Sequence, residues 1–230
     1  MEEIILQASD ISKAYHYPAK VSILNNINLV VKRGETVAIT GRSGEGKSTL
    51  LQILGTLEKP SSGRLAIAGQ TINPFNCRKI RNQHIAFIFQ SFHLLEDYTA
   101  LENILMPARI ARKSISKGSK AYQRACALLK RVGLEDRAYF NTKLLSGGEK
   151  QRIAIARALC NDPDIIFADE PSGNLDKQTA QDIHQLLLNF ALEKDKAIII
   201  VTHDDKLSNL CNKSYLLEEG VLKLNSPSLF

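Results

Sequence analysis

Hydrophobic residues follow two rhythms along this chain. In the first third, residues 4–6, 22–31, 36–40 and 64–67 are rich in Val and Ile. The turn signals Lys32-Arg33-Gly34 and Pro60-Ser61-Ser62-Gly63 separate them, so this region predicts strands. From residue 100 to 132 the β-branched runs disappear and apolar residues recur at helical spacing, with Pro107 and Gly118 as punctuation. That pattern predicts a helical lobe. The last third alternates a helix over 149–160, a strand over 164–168, a helix over 177–194 and a strand over 196–202. Ile183, Leu186, Leu187 and Phe190 form one stripe on the second of these helices, which predicts a core-facing amphipathic element. Short apolar strands alternating with helices indicate an α/β fold whose parallel sheet is covered on both faces.

Several apolar strands end in groups with chemical potential. Val37-Ala38-Ile39 leads into Gly41-Arg42-Ser43-Gly44-Glu45-Gly46-Lys47-Ser48-Thr49, which matches G-x-x-x-x-G-K-[ST], and Leu50-Leu51-Gln52-Ile53-Leu54 supplies the following helix. In such a loop the glycines let backbone amides close around phosphate oxygens, Lys47 neutralises the outer phosphates and the Ser48 hydroxyl can ligate Mg²⁺. Glu45 is unexpected beside phosphates, and Arg42 is the nearest candidate to offset it. The run 165–168 ends in Asp169-Glu170, where an Asp can hold the Mg²⁺ shell and a Glu can take a proton from water. Acids also end strands simply because the chain leaves the core. The runs 85–89 and 198–202 end at Gln90 and His203, on the edge where open α/β sheets bind ligands. His16, His84, His93 and His184 have no such company and receive no role. Ser146-Gly147-Gly148-Glu149 reads as a capping box opening a helix, with two glycines in its first turn that make sense where backbone approaches something closely, such as an anion.

Composition narrows the picture. With 230 residues and 44% hydrophobic positions the chain is expected to form one domain. Its longest apolar runs are five residues, far below the roughly 20 of a membrane span. The acidic start, Glu2-Glu3, is unlike a secretory leader, so the chain is expected to stay in the cytosol. Four widely spaced cysteines suggest neither zinc nor disulfides and are expected to be reduced and mostly buried. Residues 103–134 carry eight Lys/Arg and no Asp or Glu, and removing those eight charges from the net +6 leaves the rest at −2. That stretch could meet anionic lipid, a partner protein or nucleic acid, or be a solvated helix face.

Leu145-Ser146-Gly147-Gly148-Glu149, with the phosphate loop upstream and Ile165-Ile166-Phe167-Ala168-Asp169-Glu170 downstream, resembles the nucleotide-binding subunits of ABC transporters over nearly the whole chain. The resemblance implies a RecA-like P-loop NTPase core, an antiparallel β subdomain and an inserted α-helical subdomain at about 95–160, all within a single domain over 1–230. It implies Mg-ATP hydrolysis by two copies of the chain joined head to tail, with Ser146, Gly147 and Gly148 of one closing over the ATP held by the other. It makes Tyr15, or alternatively Tyr17, the aromatic that stacks on adenine. Gln90 becomes a Mg²⁺ contact and sensor, residues 172–176 the D-loop, and His203 the γ-phosphate switch. Separate integral-membrane permease subunits follow as partners, which would place the chain at the cytoplasmic side of the inner membrane with only indirect membrane contact. No nucleic acid is expected. Residues 98–104 and 169–176 resemble most the group of lipoprotein-releasing, macrolide-exporting and cell-division ATPases, the lipoprotein-releasing members above all, although Ser172 stands where Thr is usual. The apolar Phe92, Leu94 and Leu95 lie in a predicted loop and suggest a groove for the permease.

Other P-loop classes fit less well. A GTPase needs an Asn-Lys-x-Asp motif, which Asn141-Thr142-Lys143-Leu144 is not. Non-transport ATPases acting on nucleic acid need hundreds of coiled-coil residues between Lys47 and Asp169, and here 122 steps separate them. A small-molecule kinase would leave Gly147-Gly148 and His203 without a job.

Overall fold

The computed structural model describes residues 3–16, 19 and 21–225, so Tyr17 lies outside the described residues. Strands β1 (Ile4–Tyr15), β2 (Val21–Lys32), β4 (Ser62–Ile67) and β5 (Gln70–Thr71) form an antiparallel sheet in the order β2-β1-β4-β5. The second sheet contains β3 (Thr36–Thr40), β6 (Ile85–Ile88), β7 (Ile165–Asp169), β8 (Ala197–Val201), β9 (Lys213–Glu218) and β10 (Val221–Asn225). Its order is β10-β9-β3-β8-β7-β6, parallel throughout except for the terminal β9–β10 hairpin. The helices are α1 (Lys47–Leu54), α2 (Cys77–His84), α3 (Ala100–Ile110), α4 (Lys120–Arg131), α5 (Gly147–Leu159), α6 (Lys177–Lys194) and α7 (Asp205–Asn209). The architecture is the mixed α/β arrangement of a P-loop NTPase, with an antiparallel sheet against one face.

The period of two along the parallel strands decides what each face touches. Ile165, Phe167, Ile199 and Val201 pack with α1 and the antiparallel sheet, whereas Ile166, Ala168, Ile198 and Ile200 pack with α3, α5 and α6. Both cores therefore share one sheet, and these strands have no solvated face.

Local chemistry moved some boundaries. The first strand runs on to Tyr15 because it pairs with β2 as far as Tyr15 opposite Val21, burying Ile5, Leu6, Ala8 and Ile11 along the way with bulges that shift the register. Pro107 does not punctuate the lobe; α3 continues through it to Ile110. A mid-helix proline costs about 3 kcal/mol. Burial of Leu101, Ile104 and Leu105, at about 1.5–3 kcal/mol each, outweighs that. The Thr99–Glu102 capping box fixes the helix start. Of the cysteines, all free, only Cys160 is buried. Cys126 is exposed because the apolar stripe of α4 runs through Ala125, Leu128 and Leu129 and leaves it on the outer face.

The basic stretch is only in part a solvated face. Arg124 donates to the Leu159 carbonyl at 3.0 Å and pairs with Asp162 at 2.7 Å, and the Arg131 guanidinium lies 4.1 Å from the centre of the Phe190 ring. Lys113 reaches Asn161. These cations tie the helical lobe to the neighbouring elements.

One carboxylate joins three elements. Asp164, just ahead of β7, accepts from Arg33 at 2.9 Å and contacts His84 Nδ1 at 2.6 Å. Burial works to raise its pKa, but the hydrogen bonds to His84 and Arg33 prevail and hold it below the usual carboxylate range. A depressed folded pKa stabilises the fold fully above the unfolded value of about 3.9 and loses that contribution as pH falls through the folded one. Asp164→Asn is accordingly expected to melt at a lower temperature than the unchanged protein between pH 5 and 7, with the gap closing below about pH 4. Thermal melts followed by circular dichroism across that range measure it.

Candidate active site

The carboxyl ends of β3, β6, β7 and β8 meet at one cleft of 510 Å³. The phosphate loop forms one wall. Gly46 precedes α1 with φ 94°, and a Cβ there would lie 2.5 Å from Ile23 Cγ2, so neither backbone nor space admits another residue easily. No side chain caps α1. Its first amides are thus left to whatever occupies the loop. Gly41, Ser43, Gly44, Lys47, Ser48 and Thr49 line the same cleft. The Lys47 ammonium donates to the carbonyls of Gly41 at 2.9 Å and Arg42 at 2.8 Å.

Across from the loop, Asp169 and Glu170 differ in environment. Burial pushes the Asp169 carboxyl above its ordinary pKa, Ser48 and the Lys47 charge pull it back, and Glu170 adds repulsion. Glu170 adopts φ 45°, a conformation that costs a non-glycine residue on the order of 1–3 kcal/mol and persists where the surroundings enforce it. Its amide donates to Val201 at 2.9 Å, and its carboxylate lies 2.9 Å from His203 Nδ1. Gln90 lines the cleft and exchanges two hydrogen bonds of 3.2 Å with Asn174.

Tyr15 stands at the rim. Its hydroxyl donates to Glu58 at 2.7 Å, a bond that, with burial, raises its pKa, and the Lys13 ammonium lies 4.9 Å from the ring centre.

Not every residue singled out in the sequence reaches this cleft. Arg42 and Glu45 do not line it. The Glu45 carboxylate turns away and accepts the Glu219 amide at 2.8 Å in the β9–β10 turn, which removes the apparent conflict with phosphate without needing Arg42. Ser146, Gly147 and Gly148 are also absent from its walls. Ser146 caps α5 through a reciprocal capping box with Glu149. A Cβ on Gly148 would lie 2.7 Å from Thr179 Cγ2, so this glycine has a reason inside the chain: close packing against the start of α6. The loop after Gln90 is held by Arg157, which donates to the Phe92 and His93 carbonyls. A groove of 390 Å³ lined by Phe92 and Leu94 opens there, with Leu95 exposed beside it.

Two histidines without assigned roles are engaged. His84 contacts Asp164, and His184, 4% exposed, shares a hydrogen bond of 2.6 Å with the Ser172 hydroxyl. A signal for His184 was present: it sits at helical spacing with Ala180, Leu187 and Ala191, and a polar group on a core-facing stripe needs a partner.

Among the described residues no three His, Cys, Asp or Glu side chains gather as a metal site. Oxygen donors lining the cleft include the Asp169 carboxylate, the Ser48 hydroxyl beside it and the Gln90 amide. That set fits Mg²⁺ carried on phosphates, which keeps most of its ligands as water and phosphate oxygen.

Comparison with known proteins agrees with this geometry. Residues 24–173 match the family model described as ABC transporter. The chain is 63% identical to the lipoprotein-releasing system ATP-binding protein LolD of Protochlamydia amoebophila, over 95% of this chain and 96% of that protein. It is 44% identical to the LolD of Cytophaga hutchinsonii over 96% and 100%. Among solved structures, the ATP-binding cassette MJ0796, described as a dimer in a post-hydrolysis state bound to ADP and Pi, superposes with a TM-score of 0.87 at 36% identity, covering 98% of this chain and all of that one. Agreement of this extent, in sequence and backbone alike and over almost the whole of each chain, leaves one assignment: the chain belongs to the ABC transporter family, as one of its ATP-binding, ATP-hydrolysing subunits.

Proposed function

We propose that two copies of this chain hydrolyse Mg-ATP beneath the integral-membrane subunits of a transporter that releases lipoproteins from the inner membrane, on its cytoplasmic side. The observation that carries this reading is the 63% identity to a LolD protein over 95% of the chain, joined to a cleft whose polar groups suit a nucleoside triphosphate. Among the described residues no helix is long and apolar enough to cross a membrane, and this reading assigns the membrane-spanning part to other subunits.

In this mechanism Tyr15 stacks on the base, and the amides of residues 41–49 with Lys47 hold the phosphates. Ser48, Gln90 and Asp169 would hold Mg²⁺, which would supply positive charge to offset that of the outer phosphates. Glu170 takes a proton from the attacking water, and His203, at 2.9 Å, orients that carboxylate and contacts the γ-phosphate. Ser146, Gly147 and Gly148 act on the partner copy's nucleotide. Their position outside their own cleft, at the amide-rich start of α5, supports that division of labour.

Lys47→Ala is expected to lower ATPase turnover about 10²-fold or more and to abolish thermal stabilisation by Mg-ATP, because the loop loses its full positive charge. Stabilisation equal to that of the unchanged protein would contradict the assignment of the phosphate loop. Glu170→Gln keeps the shape of the base but cannot accept a proton, so turnover should drop about 10²–10⁴-fold with ATP still bound. That variant should elute as a monomer alone and as a dimer with Mg-ATP, and adding Ser146→Arg should keep it monomeric. Light scattering on a sizing column reads both outcomes. For the groove, Leu95→Asp should leave basal ATPase unchanged while preventing co-purification of the integral-membrane subunits from detergent-solubilised membranes.

A further inference from the structure

The segment leaving β7 is a tight turn braced from three sides. The Gly173 amide donates to the Glu170 carbonyl at 3.1 Å, closing Glu170-Pro171-Ser172-Gly173 into a turn with proline at its second position. From α5, the wholly buried Gln151 donates to the Pro171 carbonyl. From the end of β6, Gln90 exchanges hydrogen bonds with Asn174. From α6, His184 Nε2 shares its 2.6 Å hydrogen bond with Ser172 Oγ. Pro171 has a locked φ, which leaves one torsion fewer to absorb a shift of Ser172 before it reaches Glu170.

His184 is placed where an apolar residue would be easier to bury. Ile183 and Leu187 around it are fully buried, and an imidazole there is tolerated when its polar atoms have partners. We infer that His184 is a positioning residue for ATP hydrolysis: by holding the Ser172 hydroxyl it fixes the turn whose first residue, Glu170, faces the cleft in a left-handed conformation. This inference rests on Glu170 being the group that activates water. His184 touches no substrate and acts through Ser172 alone.

The test uses the full-length chain with Mg-ATP and four variants: His184→Met, which fills the space without a nitrogen, His184→Gln, which restores a hydrogen-bonding group, Ser172→Ala, and Ser172→Ala with His184→Met. Displacement of a reacting group by a fraction of an ångström is expected to lower kcat about fivefold to twentyfold in each single variant to Met or Ala. KM for ATP should stay within about twofold, since the phosphate loop is untouched. The double variant should be no slower than the slower single one, because both remove the same hydrogen bond. His184→Gln should return kcat to within about twofold of the unchanged protein. Where His184→Met unfolds, the half-buried Ser172→Ala carries the comparison. Unchanged kcat in Ser172→Ala and His184→Met, or losses that multiply in the double variant, would overturn the inference. The two levels separate cleanly: an inactive Glu170→Gln beside a fully active His184→Met removes only the role of His184, whereas an active Glu170→Gln removes the reading of the base itself.

Discussion

A strand buried on both faces can present polar chemistry only where it ends. In this chain β7 and β8 are packed on one side against α1 and the antiparallel sheet and on the other against α3, α5 and α6. A charged side chain inside either strand would meet a low-dielectric environment with no partner and would neutralise or unfold its surroundings. Asp169, Glu170, Gln90 and His203 therefore appear at the carboxyl edge, where the phosphate loop also opens. The cleft is a consequence of where burial stops.

The same constraint explains how much support the edge needs. Glu170 leaves β7 in a conformation that non-glycine residues avoid, and the hydrogen bond its amide donates to the Val201 carbonyl, the adjacent turn and the His203 contact all hold it there. Strain of this kind persists where several contacts agree on one geometry. Asp169, one residue earlier, keeps strand geometry, and burial raises its carboxyl pKa while Ser48 and Lys47 restrain the shift.

Much of this was legible in the sequence because the signals were local. The glycine spacing from Gly41 to Gly46, the acids ending β7 and the Ser146–Glu149 cap each follow from a few consecutive residues and one hydrogen-bonding rule. What sequence left open depends on contacts between distant segments. Glu45 looked hostile to phosphate until its carboxylate was seen to hold the Glu219 amide, 174 positions away. Gly148 looked reserved for an anion, yet Thr179 packs so closely that a Cβ there would lie 2.7 Å from its Cγ2. Pro107 sits inside α3 because buried neighbours outweigh it, a balance no propensity reveals. The cations of residues 103–134 could not be sorted without knowing that Arg131 covers Phe190 and Arg124 reaches the end of α5.

The strengths of these contacts also indicate where the molecule can yield. Separating α5 from the sheet would expose Ile153, Ile155 and Leu159, each buried at about 1.5–3 kcal/mol. By contrast, the two Gln90–Asn174 hydrogen bonds join exposed, neutral groups and are worth about 0.5–1.5 kcal/mol each. A change at the outer phosphates that recruits Gln90 has only to outweigh those two bonds, and the loop it releases begins with the groove at Phe92 and Leu94. The packed cores on either side keep their shape through such an exchange. In the proposed mechanism, motion at Gln90 would pass to the surface beside that groove through a joint that costs less to open than the packing of α5.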